Sequence, residues 1–405
     1  MKKILLFILL LLLPNTIKAL EYPSLHYNSA LIYDMTDNKL LYELNTDEHR
    51  SIASLTKIVT TITTLELVSD LQTEVTITNE MLSKVRWDAS IAGLKAGETY
   101  TYEDLLYASI LPSGADATIS LAISTSGSID NFVDKMNELT NRIGMKDSHF
   151  ENVHGLDEQG HYSSAKDIQK LLLYSLKNPK FKEIYTTKEY QLSTGKRVKS
   201  TVKKTGEKLG KDTSRILGSK TGFTLGAGLC MSAIINSDNH EILIITLGAP
   251  PNTGNTYHLL DTLELIKFID KSYNIETISK KGTKVSSIPV SLSKIESNDI
   301  KTTKDITKFL PIDYDKSLVK IEYSGKESLS YKDKLNTKIG TITYTYQNEP
   351  ISTEDVILKK EIKPDYIKII FKYKFQLIGI FLIVILIILL KKKTKKIKRH
   401  KKIIS

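Results

Sequence analysis

The 405-residue sequence predicts an α+β domain, an antiparallel sheet flanked by helices, followed by a small all-β domain and a C-terminal transmembrane anchor. Three observations predict this order. Strand-like patterns lie at both ends of residues 20–273, with helix-period patterns between them. Short runs rich in Val, Ile, Thr and Tyr fill residues 274–362. A long apolar run then precedes a basic tail.

The elements of the two domains are predicted from their periodicity. Residues 29–33 and 39–44 flank a short turn-forming segment, which predicts a hairpin. Apolar residues at helical spacing predict helices, and runs of Val and Ile predict strands. The predicted helices cover residues 54–68, 102–109, 116–125, 130–142, 165–176 and 258–271. The remaining predicted strands cover residues 229–236, 241–247, 284–290, 318–323 and 337–346.

The two ends of the chain indicate a compartment. Two lysines, an apolar run and a polar stretch make residues 1–19 a predicted secretory signal peptide. Residues 366–390 form the predicted membrane anchor, since a spanning helix needs roughly 20 apolar residues. An amphipathic interfacial helix is the alternative for residues 366–374. Residues 391–405 carry nine Lys or Arg, so we expect a single-pass cell-membrane protein with a cytoplasmic tail and an extracytoplasmic body.

The net charge of +11 does not indicate a nucleic-acid partner. Three basic residues lie in the signal segment and nine in the tail, and without them 45 basic and 46 acidic residues remain. The excess charge is therefore explained by membrane topology, and a nucleic-acid role is excluded. The one cysteine, Cys230, cannot form an intramolecular disulfide and is predicted to be a core residue.

Ser54 and Lys57 form a candidate catalytic pair. Residues three apart on a helix share one face, and a buried lysine has a lowered pKa, so Lys57 could accept the proton of the Ser54 hydroxyl. The pattern alone is weak, because six Ser-x-x-Lys matches occur in the chain. Ser54 differs from the others by its small and apolar neighbours. The alternative without a catalytic role is that Ser54 caps the N-terminus of a helix and that Lys57 is exposed to solvent.

Two further motifs strengthen this hypothesis. Ser113 lies in a Pro-Ser-Gly segment that precedes a predicted helix, although as an isolated motif it would be a turn or cap residue. Residues 220–222 read Lys-Thr-Gly and precede a predicted strand. Residues 204–206 also read Lys-Thr-Gly, but they lie in a charged, glycine-containing segment that we interpret as a loop. We therefore choose Lys220.

A serine with a lysine, a second serine and a Lys-Thr-Gly strand together resemble the active-site set of penicillin-binding proteins and serine β-lactamases. Residues 91–106 and 155–164 also resemble segments of one branch of these proteins. On these residues the chain is similar to the low-molecular-weight penicillin-binding proteins, which are serine D-alanyl-D-alanine carboxypeptidases. The resemblance implies a penicillin-binding, β-lactamase-like transpeptidase fold at residues 20–273, no cofactor and no metal.

The resemblance also implies catalytic roles. Ser54 would attack the carbonyl between the last two D-alanines of a peptidoglycan stem peptide, and Lys57 would be the general base. Ser113 would relay a proton to the leaving amine and help hold Lys57. A β-lactam mimics the D-Ala-D-Ala end and would acylate Ser54 as a covalent inhibitor.

Substrate-binding roles are implied for four consecutive residues. Lys220 would supply positive charge for the substrate carboxylate, and Thr221 would hydrogen-bond to it. Gly222 would allow the backbone to approach the ligand closely. The N–H groups of Phe223 and Ser54 would form the oxyanion hole.

One residue departs from the family pattern. The second motif is usually Ser-x-Asn, and here Ala115 replaces the asparagine. The amide normally hydrogen-bonds to the substrate and the catalytic lysine, which alanine cannot do. The reaction rate, the choice of substrate or the proton network is therefore expected to differ from that of family members with the asparagine.

Three alternative functions remain open. Ala115 motivates a catalytically weak penicillin-binding sensor or scaffold. A serine β-lactamase would need a glutamate for deacylation, and Glu151 or Glu158 lies in roughly the right region. A zinc-dependent D,D-peptidase would use a group that is close together in sequence, namely His149, His154, Asp157 and His161.

Overall fold

The structure is a computed structural model that describes residues 22–404, with side chains as far as residue 395. The predicted signal peptide, residues 1–19, lies outside the described residues. The chain divides into two units. The first contains the described residues up to Asn274 together with Phe309–Ile312, and the second contains Ile275–Lys308 and the residues from Asp313 onward. The finer domain boundaries given above stay predictions.

A five-stranded antiparallel sheet lies at the centre of the first unit. Its strands are β1 (Ser29–Asp34), β2 (Lys39–Leu44), β7 (Ile216–Thr224), β8 (Gly228–Ser237) and β9 (His240–Ala249), and they are arranged in the order β2-β1-β9-β8-β7. Alternate residues of β8 join two different apolar clusters, because successive side chains of a strand point to opposite faces. The predicted antiparallel sheet with helices on its faces is therefore confirmed.

Helices cover both faces of this sheet. One cluster joins the sheet to the buried helix that follows Ser54, and another joins it to the helix that ends the unit. The helices are α1 (Thr56–Leu67), α2 (Asn79–Ser83), α3 (Tyr102–Ile110), α4 (Ala115–Ser126), α5 (Ile129–Arg142), α6 (Ala165–Ser175), α7 (Pro179–Thr186), α8 (Thr201–Leu209) and α9 (Tyr257–Ser272). Two short hairpins pair β3 (Glu74–Thr76) with β4 (Thr99–Thr101) and β5 (Glu189–Gln191) with β6 (Arg197–Lys199).

The interpretation of residues 204–206 as a loop is wrong. They lie inside α8, whose first N–H groups are capped by the Ser200 side chain, which accepts a hydrogen bond from the backbone of Lys203. Val202 and Gly206 are buried on one helix face, as i and i+4 residues are. Since this Lys-Thr-Gly is helical, the choice of Lys220 on β7 agrees with the structure.

The second unit contains two three-stranded sheets, in the orders β12-β11-β15 and β14-β16-β17. The strands after residue 273 are therefore confirmed. Their bounds are β11 (Lys284–Ser291), β12 (Ser297–Lys301), β14 (Val319–Gly325), β15 (Leu329–Ser330), β16 (Lys338–Tyr346) and β17 (Glu349–Ile357). Two more strands, β10 (Tyr273–Ser279) and β13 (Ile306–Pro311), include residues of both units.

A helix of 39 residues, α10 (Tyr366–Ile404), ends the described chain. Over Tyr366–Lys395 it is long and apolar enough to cross a membrane. Its large apolar side chains, such as Phe375 and Leu389, are exposed in the protein alone. The helix is therefore a candidate membrane anchor.

Candidate active site

Ser54 and Lys57 lie side by side at the start of a buried helix. Ser54 belongs to a short 3-10 turn, Ala53–Leu55, and Lys57 lies in the first turn of α1. The Lys57 Nζ atom is 2.9 Å from the Ser54 Oγ atom. Burial lowers the pKa of Lys57 to about 7, while the negative charge of Asp116 raises it. A substantial fraction of Lys57 is therefore neutral near neutral pH and can accept the serine proton.

The turn that carries Ser54 is fixed by its neighbours. Ala53 has a φ of +46°, a left-handed conformation that alanine rarely adopts. The Thr56 hydroxyl donates to the Ala53 carbonyl over 2.9 Å and lies 2.8 Å from His161 Nε2. Gly155 packs so closely that a Cβ there would overlap the Ala53 carbonyl. The strained turn is thus held from two sides, and the half-buried Ser54 lies within it.

A backbone carbonyl holds the other side of the Lys57 amine. Lys57 Nζ donates to the His154 carbonyl over 2.6 Å. The histidine is half-buried, and the loss of solvent around its ring lowers its pKa to about 3, with the charge of Lys57 acting in the same direction. His154 is therefore neutral at physiological pH, and its main chain, not its ring, contacts the lysine.

Ser113 and Lys220 form a second buried pair. Ser113 lies between α3 and α4 with a φ of +64°, and Lys220 lies on β7. The Lys220 Nζ atom donates to Ser113 Oγ over 2.9 Å and to the Thr221 carbonyl over 2.7 Å. Burial lowers the pKa of Lys220 well below its usual value, and the charge of Lys57 lowers it further. The two lysines are thus coupled through their charges.

Strand β7 brings the Lys-Thr-Gly segment against the backbone of Ser54. A Cβ on Gly222 would lie 2.8 Å from the Ser54 backbone nitrogen, so only glycine fits without movement. Thr221 Oγ1 lies 2.7 Å from Thr201 Oγ1 of α8. Phe223 is partly exposed beyond the glycine. The structure therefore places Ser54, Lys57, Ser113 and residues 220–223 in one site.

Asp116 is a site residue that the sequence motifs did not indicate. It directly follows Ala115, and its carboxylate accepts hydrogen bonds of 2.7–2.9 Å from the backbone N–H groups of residues 92–94. The Ala115 N–H donates to the Ser90 carbonyl over 2.8 Å. Together these contacts hold residues 90–94 beside the segment that contains Ser113. The position of Asp116 next to the second motif was the available signal, but its partners are more than 20 residues away.

Three of the four residues considered for a zinc site have a potential ligand atom in another contact. His161 Nδ1 accepts from the Glu151 N–H over 3.1 Å, and His154 Nδ1 accepts from the Leu156 N–H over 3.2 Å. The Asp157 carboxylate accepts from the Thr224 hydroxyl over 2.7 Å. These contacts indicate that the loop containing residues 149–161 has a structural role beside the site.

A different trio brings potential metal ligands together. Among the described residues, the ligand atoms of Asp34, Asp37 and His240 lie within 4.8 Å of one another. Asp34 already accepts from the backbone of Thr36 and Asp37 over 2.9 and 3.1 Å, and His240 Nδ1 lies 2.8 Å from its other oxygen. These contacts close the turn of the first hairpin.

Comparison with known proteins gives one family and many relatives. A family model described as D-alanyl-D-alanine carboxypeptidase matches residues 16–251. The D-alanyl-D-alanine carboxypeptidase DacF of Bacillus subtilis is 28% identical over 343 residues, which cover 83% of this chain and 85% of the relative. The D-alanyl-D-alanine carboxypeptidase DacA of Escherichia coli is 26% identical over 372 residues, which cover 87% of this chain and 90% of the relative.

Solved structures share the fold. Penicillin binding protein 5 of Haemophilus influenzae aligns with a TM-score of 0.62 and 23% identity, over 84% of this chain and 99% of that protein. A peptidoglycan synthesis regulatory factor (PBP3) of Streptococcus pneumoniae aligns with a TM-score of 0.65 and 21% identity, over 84% of this chain and 100% of that protein. Both alignments extend well beyond the first unit in length.

Proposed function

The chain belongs to the D-alanyl-D-alanine carboxypeptidase family, and from this premise we propose that it removes the terminal D-alanine from peptidoglycan stem pentapeptides. The observation that carries the proposal is the 2.9 Å contact between Ser54 Oγ and Lys57 Nζ, an amine whose pKa burial lowers to about 7. Serine is a weak nucleophile until a neighbouring base accepts its proton. Lys57 is such a base.

Acylation proceeds in one addition and one elimination. The Ser54 oxygen bonds to the carbonyl carbon between the last two D-alanines, and its proton moves to Lys57. The negative oxygen of the tetrahedral intermediate is stabilised by the N–H groups of Ser54 and Phe223. The C–N bond then breaks, and the proton held by Lys57 is relayed through the Ser113 hydroxyl to the departing amine of D-alanine, so that Lys57 is neutral again, Ser113 keeps its hydroxyl and an ester to Ser54 remains. Water hydrolyses this ester with Lys57 again as base.

The substrate carboxylate is recognised by the Lys-Thr-Gly segment. Lys220 of β7 provides the positive charge when protonated, while the Thr221 hydroxyl can donate a hydrogen bond. Gly222 allows the close approach of β7 to Ser54, which brings the carboxylate site near the nucleophile. A β-lactam carries a carboxylate and a strained amide, so the same groups lead to acylation of Ser54.

The proposed location is the outer face of the cytoplasmic membrane. Residues 1–19 would direct export, and residues 366–390 of α10 would anchor the chain in the membrane. The basic residues after 390 would stay in the cytoplasm. The proposed substrate is a cell-wall peptide, which is found on the same outer side of the membrane as the body of the protein.

A penicillin-binding sensor is the second candidate function, and Ala115 favours it. Its side chain is buried and has no amide to hydrogen-bond to a substrate or to Lys57. A sensor would form the acyl-enzyme and hydrolyse it very slowly. The two functions therefore differ in turnover and not in acylation.

The experiment measures D-alanine release from diacyl-Lys-D-Ala-D-Ala by the full-length protein in detergent, with fluorescent-penicillin labelling of the same sample. Release with a stable label supports the carboxypeptidase, and label without release supports the sensor. Rapid loss of the label would indicate a β-lactamase. Ser54→Ala should abolish both signals. Ser317→Ala is the matched control, because Ser317 also begins a Ser-x-x-Lys sequence but is exposed in the second unit.

A further inference from the structure

One buried side-chain amide closes the loop beside Lys57. Asn152 Oδ1 accepts from the Gly155 N–H over 2.7 Å and from the His154 N–H over 3.3 Å. Its Nδ2 atom donates to the Leu156 carbonyl over 3.0 Å and to a Glu158 carboxylate oxygen over 2.9 Å. One side chain thus satisfies polar groups of His154 itself and of three residues that follow it.

The orientation of this amide is fixed by its partners. The oxygen end faces two N–H groups, and the nitrogen end faces a carbonyl and a carboxylate, so the reversed amide would oppose like groups. Asn152 is only 6% exposed, and an unpaired buried polar group is costly. The turn around His154 is therefore set by Asn152.

This turn supplies the carbonyl that orients the catalytic base. A neutral amine has two hydrogens and one lone pair. When one hydrogen of Lys57 points to the His154 carbonyl, 2.6 Å away, the lone pair can point to the hydroxyl of Ser54. Among the described residues, these two oxygens are the hydrogen-bonding partners of Lys57 Nζ. A shift of the carbonyl would leave the amine free to rotate.

The same loop is attached to the helix that carries Lys57. The Thr60 hydroxyl of α1 donates to the Val153 carbonyl over 2.8 Å, and Gly155 packs against the Ala53 carbonyl with a φ of +85°. Helix and loop therefore form a closed ring of contacts around the Lys57 amine, and Asn152 completes the ring on the loop side.

We propose that Asn152 is a positioning residue for Lys57, which it orients through the His154 carbonyl. The inference rests on the proposed function, since it assigns Lys57 the role of base. Asn152 touches neither the substrate nor the reacting atoms. Its effect should therefore fall on the rate of acylation and not on non-covalent binding.

The test compares Asn152→Ala with Asn137→Ala in the full-length protein. Asn137 is a matched control because its amide also exchanges two hydrogen bonds with the loop, at Phe150, over 2.8 and 3.0 Å. Fluorescent-penicillin labelling over a range of concentrations separates the dissociation constant from the acylation rate constant. Thermal unfolding measures the structural cost of each change.

Asn152→Ala should lower the acylation rate constant about tenfold to a hundredfold, the size expected for a misplaced catalytic group, with an unchanged dissociation constant. Asn137→Ala should lower Tm without this loss. Equal rate losses in the two variants, or an unchanged rate in Asn152→Ala, would overturn the inference. No labelling of the unmodified protein would instead overturn the proposed function, and the inference with it.

A second pair of variants covers the case in which Asn152→Ala does not fold. Asn152→Asp keeps the acceptor for Gly155 but places a carboxylate against Glu158 and the Leu156 carbonyl. Its acylation rate should fall, and Glu158→Gln added to it should restore part of the rate, because the glutamine amide can donate to the new carboxylate. Absence of this rescue would contradict the proposed role.

Discussion

Replacing Lys57 by methionine tests whether burial sets the protonation state of the proposed catalytic base. Methionine is close to lysine in length and carries no charge. In the folded protein, burial lowers the pKa of Lys57 from 10.5 to about 7. The unfolded chain therefore binds more protons than the folded chain between these two values, and the wild-type free energy of unfolding rises with pH across this window.

The magnitude follows from the two pKa values. Linkage gives a cost of keeping Lys57 buried of about 4 kcal/mol at pH 7 and about 2 kcal/mol at pH 9. Lys57→Met removes this cost, but it leaves the His154 carbonyl without its donor, which costs about 1–3 kcal/mol at either pH. We expect an inactive variant that is more stable than wild type at pH 7, with an advantage that shrinks by about 2 kcal/mol at pH 9.

The assay is urea denaturation at the two pH values, followed by near-UV circular dichroism of the buried tyrosines Tyr100, Tyr107 and Tyr185. Ser54→Ala is the control, because it removes the nucleophile and keeps the amine. Its stability should show the pH dependence of the wild type. An advantage of Lys57→Met that is equal at both pH values would refute the reasoning, since Lys57 would then have the same charge in both states.

Three other predictions concern catalysis, and fluorescent-penicillin labelling measures the first two. Below pH about 7 the acylation rate should rise about tenfold per pH unit, and above it the rate should level off, because neutral Lys57 is the reactive form. An acylation rate that does not change with pH below about 7 would count against Lys57 as the base. Gly222→Ala should lower acylation by about 10²–10³, since the new Cβ displaces Ser54, whereas Gly379→Ala, with open space around it, should not. Ala115→Asn should preserve or raise D-alanine release, and a fall would mean that the site has adapted to alanine.

The helices and strands of the first unit could be predicted where one pattern runs over many residues. Helix α5 has a strong apolar face and a serine N-cap, and its predicted bounds, 130–142, differ from the observed ones by one residue. The short strands β3 to β6 were missed, because three residues are too few to show an alternation. Helix α8 was missed because charged residues and a glycine interrupt its apolar pattern, although Ser200 and Gly210 mark its two ends.

In the candidate site, the side chains that could be predicted from the sequence are those that belong to recognisable motifs. Ser54, Lys57, Ser113 and Lys220 are such side chains, and the structure places them within hydrogen-bonding distance in pairs. The carbonyl of His154 could not be predicted, because every residue has a carbonyl and only the fold selects one. The contacts of residue 116 with residues 92–94 are likewise long-range, and no local pattern encodes them.

In the proposed mechanism, the two buried lysines would allow one site both to accept a proton and to bind an anion. Burial disfavours a charge on either amine, and the charge of Lys57 disfavours one on Lys220. A substrate carboxylate near Lys220 brings the negative charge that favours its protonated form. The charge on Lys220 would then repel the charge on Lys57, which makes the proton that Lys57 took from Ser54 easier to pass on to the leaving amine. The same coupling that weakens Lys220 as a cation in the free protein thus favours proton release from Lys57 once the substrate is bound.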